Sequence, residues 1–258
     1  MAPDAGPGGR TGSGRPRPGW LPALADLVVP AECGGCGRPR HRWCPACAAT
    51  LDGPPERVRT RAELPVPAWS LTRHEGPAAR VVSAYKDRGR TDLAGPLAEA
   101  LACAVDRLRA AGEIAEAVER PTVLVPAPAS GRARRRRGFD HVRLIVDHLA
   151  ADLSGSIPGG PVCVAPVLEV RGRVRDAAGL GAQARTDNLS GRIHRRPEST
   201  TLRASAGAPA TVRALMSAPS TVLLIDDVVT TGATAGACVA ALREGGLGVD
   251  GVLCVTSA

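Results

Sequence analysis

Residues 222–234 read Val-Leu-Leu-Ile-Asp-Asp-Val-Val-Thr-Thr-Gly-Ala-Thr, and the order of residue types in this stretch sets the fold. The run Val222 to Ile225 is short and aliphatic, which suits a strand covered on both faces of a parallel sheet. Asp226 and Asp227 then fall at its carboxyl end. After Val228 and Val229 comes a turn of hydroxyls and small residues, Thr230 to Thr234, and the alanine-rich segment 235–244 behind it stops at Gly245-Gly246. The whole reads as strand, polar loop and helix. In such a unit the loop amides and the positive end of the helix dipole face one point and together hold a phosphate. Threonine hydroxyls add donors, and Gly232 lets backbone approach the anion closely. The two carboxylates repel a phosphate, so their role is to accept hydrogen bonds from neutral hydroxyls of the same ligand, or to act through a cation and its water shell. A ligand with a phosphate beside vicinal hydroxyls is a ribose 5-phosphate.

An apolar strand ending in aspartate also occurs in P-loop nucleoside triphosphatases, but that arrangement needs a glycine-rich loop ending in Lys-Ser or Lys-Thr. The one lysine of this chain is Lys86, in Ala-Tyr-Lys-Asp-Arg-Gly-Arg. The thirteen residues 222–234 resemble, position by position, the phosphoribosyl pyrophosphate (PRPP) signature of type I phosphoribosyltransferases. The resemblance implies that Asp226 and Asp227 meet the ribose hydroxyls, and that Val229, Thr230, Thr231, Gly232, Ala233 and Thr234 cradle the 5-phosphate. It also implies magnesium, carried with PRPP.

The remaining chain agrees with that architecture. With 258 residues and 44% hydrophobic content, the protein has enough material for one good core and a small attached module. Aromatic residues make up only 2%, so valine, leucine and alanine build the core. No apolar run approaches the ~20 residues needed to cross a bilayer, and no basic start with a clean apolar stretch marks a signal peptide; the expected setting is cytoplasmic, without a membrane partner. A net charge of +8 favours anionic ligands: nucleotides, pyrophosphate or nucleic acid.

Residues 1–19, rich in Gly, Pro and Arg, are expected to be a disordered tail. Residues 20–51 carry the cysteine module and 52–75 read as a linker. Residues 76–258 form the main domain, with helical spacing over Gly76–Lys86 and Thr91–Ala111, a strand at Thr122–Pro126, a loop Ala127–Gly138, a helix from about Phe139 to Leu153 and a last strand at about Val249–Thr256. Residues 196–220, low in complexity, suggest a mobile excursion. Strands alternating with helices predict an α/β fold with a doubly wound, mostly parallel sheet that binds ligands at the carboxyl ends of its strands.

Cys33-Gly-Gly-Cys36 and Cys44-Pro-Ala-Cys47 are two CxxC knuckles. Each presents two thiolates, and the pair supplies a closed four-sulfur site for a structural zinc ion. So small a module lacks the core to fold alone, so metal binding supplies its stability. An iron–sulfur cluster would use the same four thiolates; a redox CxxC comes singly beside a βαβ unit, and structural disulfides suit another compartment. His41, between the knuckles, reads as a surface residue. Cys103, Cys163, Cys238 and Cys254 sit in apolar stretches and read as small buried hydrophobes.

A second strand–loop–helix unit is Val125-Pro-Ala-Pro-Ala-Ser-Gly-Arg-Ala-Arg-Arg-Arg-Arg-Gly-Phe-Asp140, with a hydroxyl and five arginines. In the type I resemblance, the loop after the first core strand holds pyrophosphate, which implicates Ser130, Gly131 and Arg132, then Arg137 and Gly138. A solvated basic turn and a nucleic-acid patch are the alternatives, although no aromatic residues interleave there to stack on bases.

The paired knuckles, the Tyr85-Lys-Asp-Arg-Gly89 stretch, the Pro-Ala-Pro loop with Arg137-Gly-Phe139, the segment Gln183-Ala-Arg-Thr-Asp-Asn-Leu-Ser-Gly191 and the 222–234 signature occur in this order in the ComF family, which the chain therefore resembles from about residue 20 to the end. Between Gly191 and Thr221 the chain is longer than the family pattern. Arg185 and Asn188 match the family's Arg-x-x-Asn and are implied to close over the site. The resemblance implies phosphoribosyl transfer to a nitrogen nucleophile with release of pyrophosphate, or a non-catalytic PRPP- or nucleotide-binding adaptor of DNA uptake that works through its ribbon and basic loop with a DNA-handling partner.

Overall fold

The computed structural model describes residues 32–117, 120–156, 162–171, 192–196, 201–204, 209–211 and 219–258. The expected tail, residues 20–31, and the 183–191 segment with Arg185 and Asn188 lie outside the described residues.

The strand expected over 222–225 is the centre of the molecule. It runs further, as β9 (Thr221–Val229), because β10 (Gly251–Ser257) continues beside it to the pair Ser257–Val229. On its other side β3 (Thr122–Pro126) stops sooner, at the pair Pro126–Ile225. Asp226 and Asp227 therefore lie inside a strand rather than after one, and β10 flanks them on one side only. Asp250 Oδ2 accepts the Val222 amide at 2.7 Å and fixes where the strand begins.

Around this centre the sheet has eight strands in the order β1-β2-β10-β9-β3-β4-β7-β8, with β2 (Ala68–Arg73), β10, β9, β3 and β4 (Val162–Val164) mutually parallel. Antiparallel strands close both edges: β1 (Glu56–Arg57) at one end, β7 (Thr201–Ala204) and β8 (Pro209–Thr211) at the other. A separate antiparallel pair joins β5 (Leu168–Val170) to β6 (Ile193–Arg195). After a short helical turn α1 (Pro45–Ala48), the helices are α2 (Gly76–Arg88), α3 (Ala94–Ala110), α4 (Gly131–Arg137), α5 (His141–Ser156) and α6 (Ala233–Glu244). Helices α2, α3 and α5 cover one face; α6 lies against β9 on the other, with the β5–β6 pair beside it. The α/β expectation with a mostly parallel mixed sheet is met.

Three expectations need correction. Residues 68–73 are not linker. Trp69 and Leu71 are buried, and β2 is an inner strand between β1 and β10. The Pro- and charge-rich flanks obscured a strand whose first four residues are all buried. The basic loop is shorter than 127–138, because Ser130 caps a helix by accepting the Ala133 amide at 3.2 Å, which places the arginines on α4. Finally, within 196–220 the described strands β7 and β8 pair antiparallel and extend the sheet beyond β4.

The cysteine module folds onto the α/β body within one compact unit, Glu32–Ala258. Leu51 joins the main core, and Arg90 Nη1 donates to the Glu32 carbonyl at 3.0 Å. Gly34 sits so close to Leu93 that a Cβ there would lie 2.7 Å from Leu93 Cδ1.

Candidate functional sites: a four-thiol cluster and a carboxylate cleft

The two knuckles converge. The four sulfurs of Cys33, Cys36, Cys44 and Cys47 all lie within 4.8 Å of one another, and Cys36 Sγ is 3.6 Å from Cys44 Sγ. Zinc–sulfur bonds of about 2.3 Å in a tetrahedron require sulfur separations of about 3.8 Å, so the spacing of the set is compatible with a metal of that size. Cys33, Cys44 and Cys47 are buried and Cys36 is exposed, so no fifth group is needed to enclose an ion. Burial alone would raise the Cys33 thiol, but the amides of Cys44, Cys36 and Gly35 aim at it and bring it down to about 6. A sulfur that amides already favour as thiolate is a ready ligand. His41 is exposed, as expected. Cys163, Cys238 and Cys254 are buried, while Cys103 is exposed because helical periodicity places it on the outer face of α3 with Glu99 and Asp106.

The second site arises from topology. From β3 the chain moves outward to β4 through α5, whereas from β9 it moves the opposite way to β10 through α6. The strand order thus reverses between β3 and β9, and open α/β sheets bind ligands outside the carboxyl ends of strands at such a point. The Ala127 amide still bonds to the Ile225 carbonyl at 2.8 Å; beyond it the two chains part, one into Pro128–Ser130 and the other into the carboxylates.

Successive strand residues point to opposite sides, and here the two acids find different surroundings. Asp227 is 3% exposed and faces α2 and α5. Lys86 Nζ, from α2, lies 2.8 Å from its Oδ2, and His141 Nε2, from the start of α5, lies 3.3 Å from the same oxygen. Its Oδ1 accepts the Val228 amide at 2.9 Å. Burial opposes the Asp227 charge, but His141 and Lys86 outweigh it and hold the carboxyl far below the usual carboxylate range. Asp226 is only half-buried, and its Oδ1 accepts the Asp227 amide at 2.8 Å. Burial and then the charge of Asp227 push its carboxyl well above the ordinary value. Burial would lower Lys86, yet the charge of Asp227 reverses this and raises it. Tyr85, forced up by burial and by Asp227, stays protonated and donates to the His141 carbonyl at 2.5 Å. Phe139 packs edge-on against it, 5.7 Å between ring centres.

After β9 the chain turns through Thr230 and Thr231, and Gly232 takes a left-handed conformation (φ 82°) at the N-cap of α6. A Cβ at Gly232 would also lie 2.7 Å from Thr60 Cβ. The stretch 58–66 runs over this turn, with the Ala62 amide donating to the Thr231 carbonyl at 2.9 Å and the Arg243 guanidinium donating to the Pro65 carbonyl at 3.1 Å. Part of the expected linker therefore holds the 230–232 turn in place.

Of the residues singled out in the sequence, the four cysteines come together, and Asp226, Asp227 and the 229–234 turn share the switch point with Ser130. Arg132 lies on the exposed side of α4. Arg137 is mostly buried and reaches Asp87 at 3.5 Å rather than the acids. Sequence reasoning missed His141 and the role of Lys86; being the one lysine among 33 basic side chains was the available signal. It also missed Thr60 and Ala62, which carried none. A cavity of ≈ 290 Å³ opens beside the cleft, lined in part by Pro126, Pro128, Arg134, Asp140, Arg143 and Glu169. No helix among the described residues is long and apolar enough to cross a membrane.

A scan of protein-family models finds no match to this chain, and no curated protein matches it significantly.

Proposed function

We propose that the chain is a ComF-like member of the type I phosphoribosyltransferase class, that it binds PRPP at the switch point between β3 and β9, and that its four cysteines hold a structural zinc ion. The observation that carries the reading is the coincidence at one strand end of a half-buried acid, Asp226, with a glycine-turned, hydroxyl-bearing loop that opens helix α6. The loop offers amides and Thr230, Thr231 and Thr234 hydroxyls to the 5-phosphate, and the carboxylate faces the ribose diol. The bond from C1 to the diphosphate oxygen breaks with oxocarbenium character, a nitrogen lone pair forms the new bond at C1, and diphosphate departs with the electron pair. Ser130 and Arg132 stand on the β3 side, where that diphosphate would lie. Magnesium, when bound with PRPP, supplies charge neutralisation on its phosphates. The protein's contribution is orientation and fixed charge, with no nucleophilic side chain.

Incubation with PRPP, magnesium and a panel of nitrogenous bases is expected to release diphosphate, and Asp226→Asn to abolish the release. A protein that neither binds PRPP nor releases diphosphate with any acceptor contradicts the reading.

A second reading, a non-catalytic adaptor of DNA uptake, draws on the exposed row Arg132, Arg134, Arg135 and Arg136 on α4. Binding of single-stranded DNA through this row would weaken steeply with salt and survive Asp226→Asn.

A further inference from the structure

We propose that the two adjacent acids divide the work: Asp227 is an anchor committed to the protein, and the Lys86 ammonium it holds at the mouth of the cleft contacts the diphosphate of the ligand. The proposal rests on the phosphoribosyl reading for the identity of the ligand, and on the following geometry for the role.

Asp227 has little left to offer a sugar. One oxygen accepts the Val228 amide, and Lys86 and His141 converge on the other. The carboxylate is 4% exposed, whereas the Lys86 side chain keeps 28% of its surface open. Lys86 is therefore the member of the pair whose side chain keeps open surface. An ammonium has three N–H donors; among the described residues Asp227 is the one partner of Lys86 Nζ, which leaves donors for an oxyanion. A compact, rotatable point charge at the end of a four-carbon stem suits phosphate oxygens that move as a bond breaks. The planar arginine fork would instead lock onto the carboxylate in bidentate fashion. In a chain whose 33 basic side chains include one lysine, that lysine stands at the buried carboxylate of the switch point. Asp226, half-buried and with Oδ1 on the Asp227 amide, is then the acid that meets the diol. Lys86 arrives from α2, outside both strand–loop–helix units, so the cation approaches the leaving group from the sheet face opposite α6.

The single lysine makes the test direct. Amine-directed reductive methylation can modify only Lys86 and the N-terminal amine, and the latter serves as an internal control for reagent consumption. With the full-length protein, saturating PRPP and magnesium are expected to slow Lys86 methylation at least fivefold while the N-terminal amine reacts as before. Lys86→Met is expected to weaken PRPP binding tenfold or more, with ribose 5-phosphate, which lacks the diphosphate, bound within about twofold of the parent. If PRPP binds the parent protein but leaves Lys86 methylation unchanged, or if Lys86→Met binds PRPP normally, the assignment is overturned and the phosphoribosyl reading stands. If PRPP does not bind yet inorganic diphosphate protects Lys86, the ammonium is an anion contact and the phosphoribosyl reading falls. Protection by neither overturns the assignment. The methylation experiment uses the unaltered chain, so it is decisive even if Lys86→Met fails to fold.

Discussion

The cysteine cluster and the carboxylate cleft are assembled in opposite ways. All four sulfurs come from residues 33–47, and two tight turns suffice to bring them within 4.8 Å of one another. The cleft draws Asp226 and Asp227 from β9, Lys86 from α2, His141 from α5 and its covering Thr60 and Ala62 from the stretch before β2. The first site is built from one short local stretch, and the second needs the whole sheet to exist before any of its groups meet. Replacing a ligand should therefore act on the fold at the first site, whereas a charge lost at the second should shift stability by an amount set by its neighbours.

The largest effect is expected at the cluster. Replacing Cys33 and Cys36 together by serine should take the metal content from one zinc per chain to none and unfold the 32–51 module, since structural zinc contributes on the order of 10 kcal/mol in small modules. Elemental analysis with far-ultraviolet dichroism checks both, and a full metal complement in the variant would break the contrast.

Next come the adjacent acids, which are expected to move stability in opposite directions. Asp227→Asn leaves the Lys86 ammonium beside a neutral amide and should cost about 3 kcal/mol, the low end for breaking a buried pair because Lys86 is partly solvated. Asp226→Asn removes a carboxyl whose charged form is disfavoured by burial and by Asp227, and should stabilise the protein at neutral pH while removing ligand contact. Urea denaturation of both variants settles the signs.

Their pH dependence follows. The folded-state value of Asp227 is below its ordinary 3.8, so its contribution is present above pH 3.8 and lost as pH falls below it. Lys86 is raised above 10.5, so its contribution is present below pH 10.5 and lost above it. Asp226 is raised, so its share of stability declines as pH climbs past 3.8. Asp227→Asn should therefore flatten the acid limb of the stability profile that the parent shows, and an unchanged limb would mean that the Lys86 and His141 contacts contribute nothing in solution.

The smallest of these effects is expected at Gly232. Alanine there must adopt φ 82° and push into Thr60, costing about 1–2 kcal/mol for the left-handed backbone. The melting temperature should drop by a few degrees, and phosphate binding should fall with the loop's altered path.

What was legible in the sequence tracks this contrast. Cysteine spacing announces a four-thiol site because its geometry is local, and the 222–234 pattern announces strand, turn and helix because it is local as well. The register that lets β9 run on to Val229 is set by β10, which no reading of 222–234 alone contains. Likewise β2 was hidden by its proline-rich flanks and became visible only through its pairing with β10. Lys86 and His141 meet Asp227 through the packing of α2 and α5 on one sheet face, a three-body coincidence without a sequence period. The arginines expected on a loop after β3 stand on a helix instead, because Ser130 caps one there, and helix geometry turns most of them outward.

The most direct test of the central claim is a crystal of the protein soaked with ribose 5-phosphate. Density for the phosphoryl group against the backbone of residues 230–233, with the sugar diol on Asp226, is the predicted result. Ordered sugar phosphate bound elsewhere, with that turn empty, would contradict the account.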